Sequence, residues 1–229
     1  MTTSVWNGAG RRIELCDVGL RDGLQMEAQF VPTEDKIALV NALSHAGLSK
    51  IEVTSFTSPT AIPALRDAEV VMREIERRPG VTYTALVPNA RGAERAIESR
   101  TDELNLVMSV SETHNLANLR MTRAQSFAAL AQVITMAQAA QVPVNVSLSC
   151  VFGCPMEGDV ALDAVWDHVQ RFADLGVAGI TLCDTTGMAF PTQVGQVVAA
   201  ARARWPGMAF TLHFHNTRGM GLANVLAAI

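Results

Sequence analysis

Two imidazoles, and a carboxylate beside an arginine, are the residues of this sequence best suited to chemistry. His213-Phe214-His215-Asn216 closes an apolar run near the end of the chain, and Gly19-Leu20-Arg21-Asp22-Gly23-Leu24-Gln25 follows another near its start. Side chains two apart on a strand point the same way, so His213 and His215 share one face while Phe214 turns to the other as a core residue. One carboxylate and two imidazoles around a point make a donor set for a divalent metal, and Arg21 adds a fixed cation for an anionic partner. Taken singly, each piece has a plainer reading: a core histidine next to an exposed one, and a surface Arg-Asp pair at a turn. The metal reading gains weight only if the two stretches meet.

The elements that must bring them together are legible as alternating patterns. Runs rich in Val, Ile, Leu and Thr begin near Ile13, Lys50, Thr82, Glu103, Pro143, Gly179 and Ala209. Helical spacing follows over 34–46, 63–76, 125–140, 163–175 and 191–204, with turn residues such as Gly47 and Gly176 closing two of them. Such alternation means βαβ units and a parallel sheet. A doubly wound sheet and a closed barrel both fit. No Gly-x-Gly-x-x-Gly follows the first run, which disfavours the dinucleotide-binding version. Polar residues cluster just after the strands instead: Arg21-Asp22, Thr54-Ser55, Pro88-Asn89, Ser111-Glu112, Ser149, Asp184-Thr185 and His215-Asn216. A barrel gathers those strand ends at one mouth. The expected fold is therefore α/β, a TIM (β/α)8 barrel with its interior filled by apolar side chains and its eighth unit missing. The whole chain, 1–229, is read as one catalytic barrel domain truncated at its C-terminal end.

Two acids interrupt apolar strands: Glu52 in Ile51-Glu52-Val53 and Asp184 in Leu182-Cys183-Asp184. Ionised carboxylates there need a partner, and Arg21 or the metal is expected to serve. Glu14, at a strand start, is expected to be solvated. Gly153-Cys154-Pro155-Met156-Glu157-Gly158 reads as a shaped loop over the mouth or a plain β–α connection, and Arg91, Arg95 and Arg100 as a solvated helix face.

Composition bounds the remaining classes. The 229 residues are 49% apolar and 17% charged, which suits a globular domain with a large core and excludes disorder. A formal net charge of −4 argues against a nucleic-acid surface, so an anionic substrate must be held by local groups. No apolar run is long enough to span a bilayer, and residues 1–12 lack signal-peptide character, so a cytoplasmic protein without membrane contact is expected. The four cysteines are expected to be thiols, mostly small core residues.

Taken together, Gly19 to Gln25, Ile51-Glu52-Val53-Thr54-Ser55-Phe56, Ser149-Cys150-Val151-Phe152-Gly153-Cys154-Pro155, Gly187 after Asp184-Thr185, and His213-Phe214-His215 resemble the 3-hydroxy-3-methylglutaryl-CoA lyase family, over most of the chain. Arg-Asp and His-x-His are shared with isopropylmalate synthases and carboxyltransferases, whereas the Gly-Leu-Arg-Asp-Gly-Leu-Gln wording and the Gly-Cys-Pro-x-Glu-Gly loop look specific to the lyases. The resemblance implies cleavage of 3-hydroxy-3-methylglutaryl-CoA to acetyl-CoA and acetoacetate. It implies Asp22, His213 and His215 as ligands of Mg²⁺ or Mn²⁺, with Arg21, Glu52 and Asp184 as catalytic residues and Asp184 or a histidine as base. Gln25, Ser55 and Ser149 are the implied substrate contacts, an acyl-CoA the substrate, and a homo-oligomer, a dimer, the assembly. Related readings are a lyase for another 3-hydroxyacyl-CoA such as citramalyl-CoA, a condensing synthase, or an inactive binding barrel. Two departures stand out: the family's asparagine ligand and cysteine-bearing glycine loop fall beyond this sequence, and Asn216 stands where many members carry aspartate.

Overall fold

The computed structural model describes residues 13–229, so residues 1–12, on which the targeting expectation rests, lie outside it. Seven strands form one sheet in chain order: β1 (Cys16–Asp17), β2 (Lys50–Ser55), β3 (Thr82–Val87), β4 (Glu103–Ser109), β5 (Val144–Ser149), β6 (Gly179–Asp184) and β7 (Ala209–Phe214). Every neighbouring pair is parallel, and helices α1 (Thr33–Ser44), α2 (Ala68–Glu74), α3 (Ala90–Glu98), α4 (Glu112–Leu119), α5 (Arg123–Ala139), α6 (Leu162–Asp174), α7 (Pro191–Arg204) and α8 (Gly221–Ala228) alternate with them. These are seven units of a (β/α)8 barrel, with β1 and β7 as the edges of the described sheet. Among the described residues no helix is long and apolar enough to cross a membrane.

Several expected boundaries move for physical reasons. The first strand, expected from Ile13, is paired as strand only at Cys16–Asp17, where it meets Lys50 and Ile51 of β2; Glu14 is exposed, as expected. The helix expected over 63–76 divides into a 3₁₀ turn, Pro63–Leu65, and α2. At the break, Asp67 accepts from Thr33 (2.8 Å) and the buried Lys36 (2.7 Å), and Lys36 also reaches the Ala64 carbonyl, so α1 claims the groups between the two pieces. Helices α3 and α4, absent from the periodicity reading, begin at strong caps. Asn89 Oδ1 accepts from the Gly92 amide, and Ser111 Oγ from that of His114. Arg95 of α3 is not simply solvated: it pairs with Glu69 and lies over Phe56.

The sheet's two faces reverse one expectation. The apolar core lies between sheet and helices, where Leu104, Leu106 and Met108 of β4, Val146 and Leu148 of β5, and Ile180 and Leu182 of β6 are fully buried. The alternate positions, which face the lumen, carry Glu52, Thr84, Asn105, Asn145, Ser147 and Thr181. The barrel is thus filled on this face by hydrogen-bonded polar groups, not by the apolar layers expected from the strand composition. A bulge in β2 completes the pattern: Glu52 pairs in register with Thr84, but Thr54 pairs with Ala85 and Ser55 with Leu86. The extra residue, Val53, lets Glu52 and Ser55 both face inward.

Candidate active site

The loop after β1 is a single wide π-helical turn, Gly19–Gly23, in which the Val18 carbonyl accepts from the amides of Arg21 (3.2 Å), Asp22 (2.7 Å) and Gly23 (3.4 Å). Gly19 fits where its amide meets Asp17 Oδ1, and an added Cβ would stand 3.3 Å from that oxygen. The turn buries Leu20 and Arg21 and leaves Asp22 half-buried at the mouth.

From there Asp22 reaches β7. Its Oδ2 lies 3.5 Å from His213 Nε2 and 3.6 Å from His215 Nε2. The two rings are stacked, as the strand period requires, with centroids 4.9 Å apart and planes 6° from parallel. Phe214 turns away onto Phe152. One donor atom from each of Asp22, His213 and His215 lies within 4.8 Å of the others, so the three can hold a metal ion together. The donor chemistry fits a divalent cation: two imidazole nitrogens and a carboxylate held ionised. A hydrogen bond with His213 brings the Asp22 pKa down to about 2, against the pull of burial and with help from Arg21 and His215.

Arg21 is held from two sides. Its Nη1 donates to Asp22 Oδ1 and its Nε to Glu52 Oε2, both at 2.7 Å. Burial works against its charge, but Glu52 and Asp22 outweigh burial and raise its pKa. Glu52, 2% exposed, thereby finds the cation expected for it. Its other oxygen accepts from Asn105 Nδ2 at 2.7 Å, a partner that motif reading missed. The signal was present as period-two polar residues on three consecutive strands: Asn105, then Asn145 and Ser147, then Thr181.

The other expected site residues fall in different places. Ser149 is buried on the lumen face of β5 beside Ser109, in register with it. Ser55 shares that face through the bulge and bonds Thr57 Oγ1 at 2.7 Å. Gln25 is half-buried in the 3₁₀ turn Leu24–Met26 that follows Arg21 and Asp22. Asp184 departs from expectation. Its partners are not Arg21 or the imidazoles but the backbone amides of Met188 (2.7 Å) and Ala189 (3.1 Å). In register it stands beside Phe214, so it shares the opposite face of the sheet from His213 and His215. Asn216 likewise works on the backbone, accepting from the Gly221 amide at the start of α8 (2.9 Å).

The Gly153–Gly158 loop closes on itself through a bridge between Cys154 and Gly158 and is tied to α4, where Glu157 Oε1 accepts from the Thr113 amide at 2.6 Å. It is therefore a shaped element of the mouth. All four cysteines are free thiols.

The family model for HMGL-like domains matches residues 12–229. This chain belongs to the HMGL-like family. It is 46% identical over 219 residues to hydroxymethylglutaryl-CoA lyase YngG of Bacillus subtilis, a match covering 96% of this chain and 73% of that protein. Among solved structures it is similar to an HMG-CoA lyase from Acinetobacter baumannii in complex with coenzyme A and 3-methylmalate, with a TM-score of 0.90 and 49% identity over 94% of this chain and 70% of that one. The carboxyl transferase domain of Rhizobium etli pyruvate carboxylase shares the fold, with a TM-score of 0.73 at 18% identity, over 96% of this chain and 38% of that one.

Proposed function

We propose that this chain is the catalytic barrel of a carbon–carbon lyase that cleaves 3-hydroxy-3-methylglutaryl-CoA to acetyl-CoA and acetoacetate. The observation that carries this reading is the meeting of Asp22, His213 and His215 at one point with Arg21 bonded to Asp22 beside them. The similarity to proteins named for that activity supports it.

Asp22, His213 and His215 would hold the divalent cation, Mg²⁺ or Mn²⁺ in this reading. When bound, it lowers the pKa of the substrate's tertiary alcohol and fixes its orientation. When a base, a histidine in this reading, takes the hydroxyl proton, the adjacent carbon–carbon bond can break. The alcohol carbon becomes the ketone of acetoacetate, the electron pair passes to the enolate of acetyl-CoA, and a proton returned to the enolate carbon completes acetyl-CoA. Arg21 faces the oxygen on which that charge develops. Its guanidinium has donors left after Nε serves Glu52 and one Nη1 hydrogen serves Asp22, and a prearranged donor in a buried site stabilises such an oxyanion strongly. Glu52 fixes the plane of that guanidinium. Asp184, tied to the Met188 and Ala189 amides, is assigned to holding the turn after β6 and not to acting as the base. Ser55 and Ser149 offer hydroxyls on the lumen side for the substrate's carboxylate, and Gln25 an amide near Arg21.

The deciding experiment is an assay with hydroxymethylglutaryl-CoA and Mg²⁺, reading both products by mass spectrometry, with Asp22→Asn and added chelator as controls. Cleavage that disappears in both controls is expected. Cleavage that persists in either removes the metal from the reading.

A further inference from the structure

The polar chain behind Arg21 does not stop at Glu52. Glu52 Oε1 accepts from Asn105 Nδ2 (2.7 Å), Asn105 Oδ1 accepts from Asn145 Nδ2 (2.9 Å) and Ser147 Oγ (2.8 Å), and Asn145 Nδ2 also reaches Thr181 Oγ1 (2.8 Å). The chain crosses the lumen from β6 through β5 and β4 to β2, and ends on the guanidinium beside Asp22. Its polarity is dictated chemically. A carboxylate only accepts, so Asn105 must present its NH₂ to Glu52. Its carbonyl then points the other way and is met by two donors, which forbids the flipped amide. Asn145 has its own constraint: it sits in register with Gly179, where an added Cβ would stand 3.0 Å from Asn145 Oδ1.

We propose that Asn105 is a positioning residue for the lyase reaction: held by Asn145 and Ser147, it fixes the Glu52 carboxylate, and through it the guanidinium of Arg21. This inference rests on the function proposed above. The geometry favours it over a merely structural role. An asparagine needed only for packing has no reason to be oriented by two separate donors and to spend its one free amide on the acid that grips Arg21.

Asn105→Ala leaves Glu52 Oε1 without its donor, so Glu52 can swing and Arg21 loses its fixed plane. The expected result is a fall in kcat of about 10-fold or more, with KM little changed, the scale of losing a group that orients a reacting residue. The effect must run through Glu52, so adding Asn105→Ala to Glu52→Gln is expected to cost little further. A second readout is independent of turnover: solvent exchange of the Arg21 Nε–H, followed by nuclear magnetic resonance and assigned by its loss in Arg21→Lys. That proton is expected to exchange slowly in the wild type and faster in Asn105→Ala. Should Asn105→Ala fail to fold, Ser147→Ala removes one of the two orienting donors and is expected to move kcat and exchange in the same direction by less. Unchanged kcat and exchange, or losses that simply multiply in the double variant, would overturn the inference. A wild type inert on hydroxymethylglutaryl-CoA would count against the proposed function instead, leaving the exchange measurement to decide the role of Asn105.

Discussion

His213 and His215 present their Nε2 atoms to one and the same oxygen of Asp22, at 3.5 and 3.6 Å, from rings stacked 4.9 Å apart. Asp22 follows the first strand and the histidines end the seventh, so the cluster bridges the two edges of the described sheet.

Removing any one of these three donors should weaken Mn²⁺ binding by about 10-fold or more, the range found even for groups that merely support metal ligands. Titration calorimetry on Asp22→Asn and His213→Ala measures this directly. Phe214→Leu, on the opposite side of the strand, should leave Mn²⁺ affinity near that of the wild type. Equal losses in all three variants would mean that strand damage, not ligand loss, is being read.

Replacing Arg21 by Met should lower turnover about 10²–10³-fold, the scale of deleting one oxyanion donor. It should also destabilise the fold, because Glu52 is left buried beside no cation, a change that costs about 3–5 kcal/mol for a buried pair. Lys in its place cannot reach Glu52 and Asp22 with separate nitrogens and should recover little. Kinetics and urea unfolding on both variants test the two claims separately, and turnover near wild type in Arg21→Met would sink the catalytic one.

Gly187 joins the turn after β6 to the segment after β7. Its φ is +70°, and an added Cβ would meet Thr217 Cβ and Oγ1 at 2.8 Å. Gly187→Ala should therefore destabilise by about 1–3 kcal/mol from backbone strain alone. Pushing on Thr217, two residues beyond His215, should also weaken Mn²⁺ binding. Adding Thr217→Gly removes the two side-chain contacts but leaves the backbone nitrogen of residue 217 at 3.0 Å and the strained φ, so it should restore metal affinity more than stability. Equal recovery of both would contradict this division.

Arg95 bonds Glu69 and holds its carboxyl below the usual range, against a smaller opposing effect of burial. Because the folded state favours the ionised form, this contribution is present at pH above the ordinary glutamate pKa and is lost as pH falls through the lowered folded value. The pair is partly exposed, so the gain is at most about 1 kcal/mol. Urea midpoints of wild type and Glu69→Gln should differ at pH 7 and converge as pH falls through the lowered folded value. A gap of constant size would assign the difference to something other than charge.

The parallel αβ order and the pairing of His213 with His215 were readable because each rests on a local period: apolar runs that alternate between strand and helix, and imidazoles two apart on a strand. That Asp22 meets them depended on the barrel bringing its first and seventh strands together. Short α3 and α4 escaped for different reasons: α3 buries a one-sided face made of small residues, Gly92, Ala93 and Ala96, that draws no notice as an apolar stripe, and α4 is set more by its cap Ser111. The division of 63–76 depends on Lys36 and Thr33, which belong to another helix. Asp184 shows the limit most clearly. An acid at a strand end beside an active site invites a catalytic role, yet its partners are two amides four and five residues on, a turn that side-chain spacing does not reveal. Asn105, conversely, drew no notice because a lone asparagine in a strand carries no motif; only its bond across the lumen to Glu52 makes it the second link to Arg21.

The unpaired Val53 changes the phase of β2 partway along its length. Below it the strand sets a charge into the floor of the lumen at Glu52; above it, Ser55 faces the opening while Phe56 stays outward beneath Arg95. One strand thereby serves two depths with different needs. Were Val53 to take a regular place in the ladder, the two positions above it would swap, hiding a hydroxyl in the wall and swinging a benzyl group into the entrance; deleting it would instead leave Glu52 and Ser55 both facing inward on an unbroken strand.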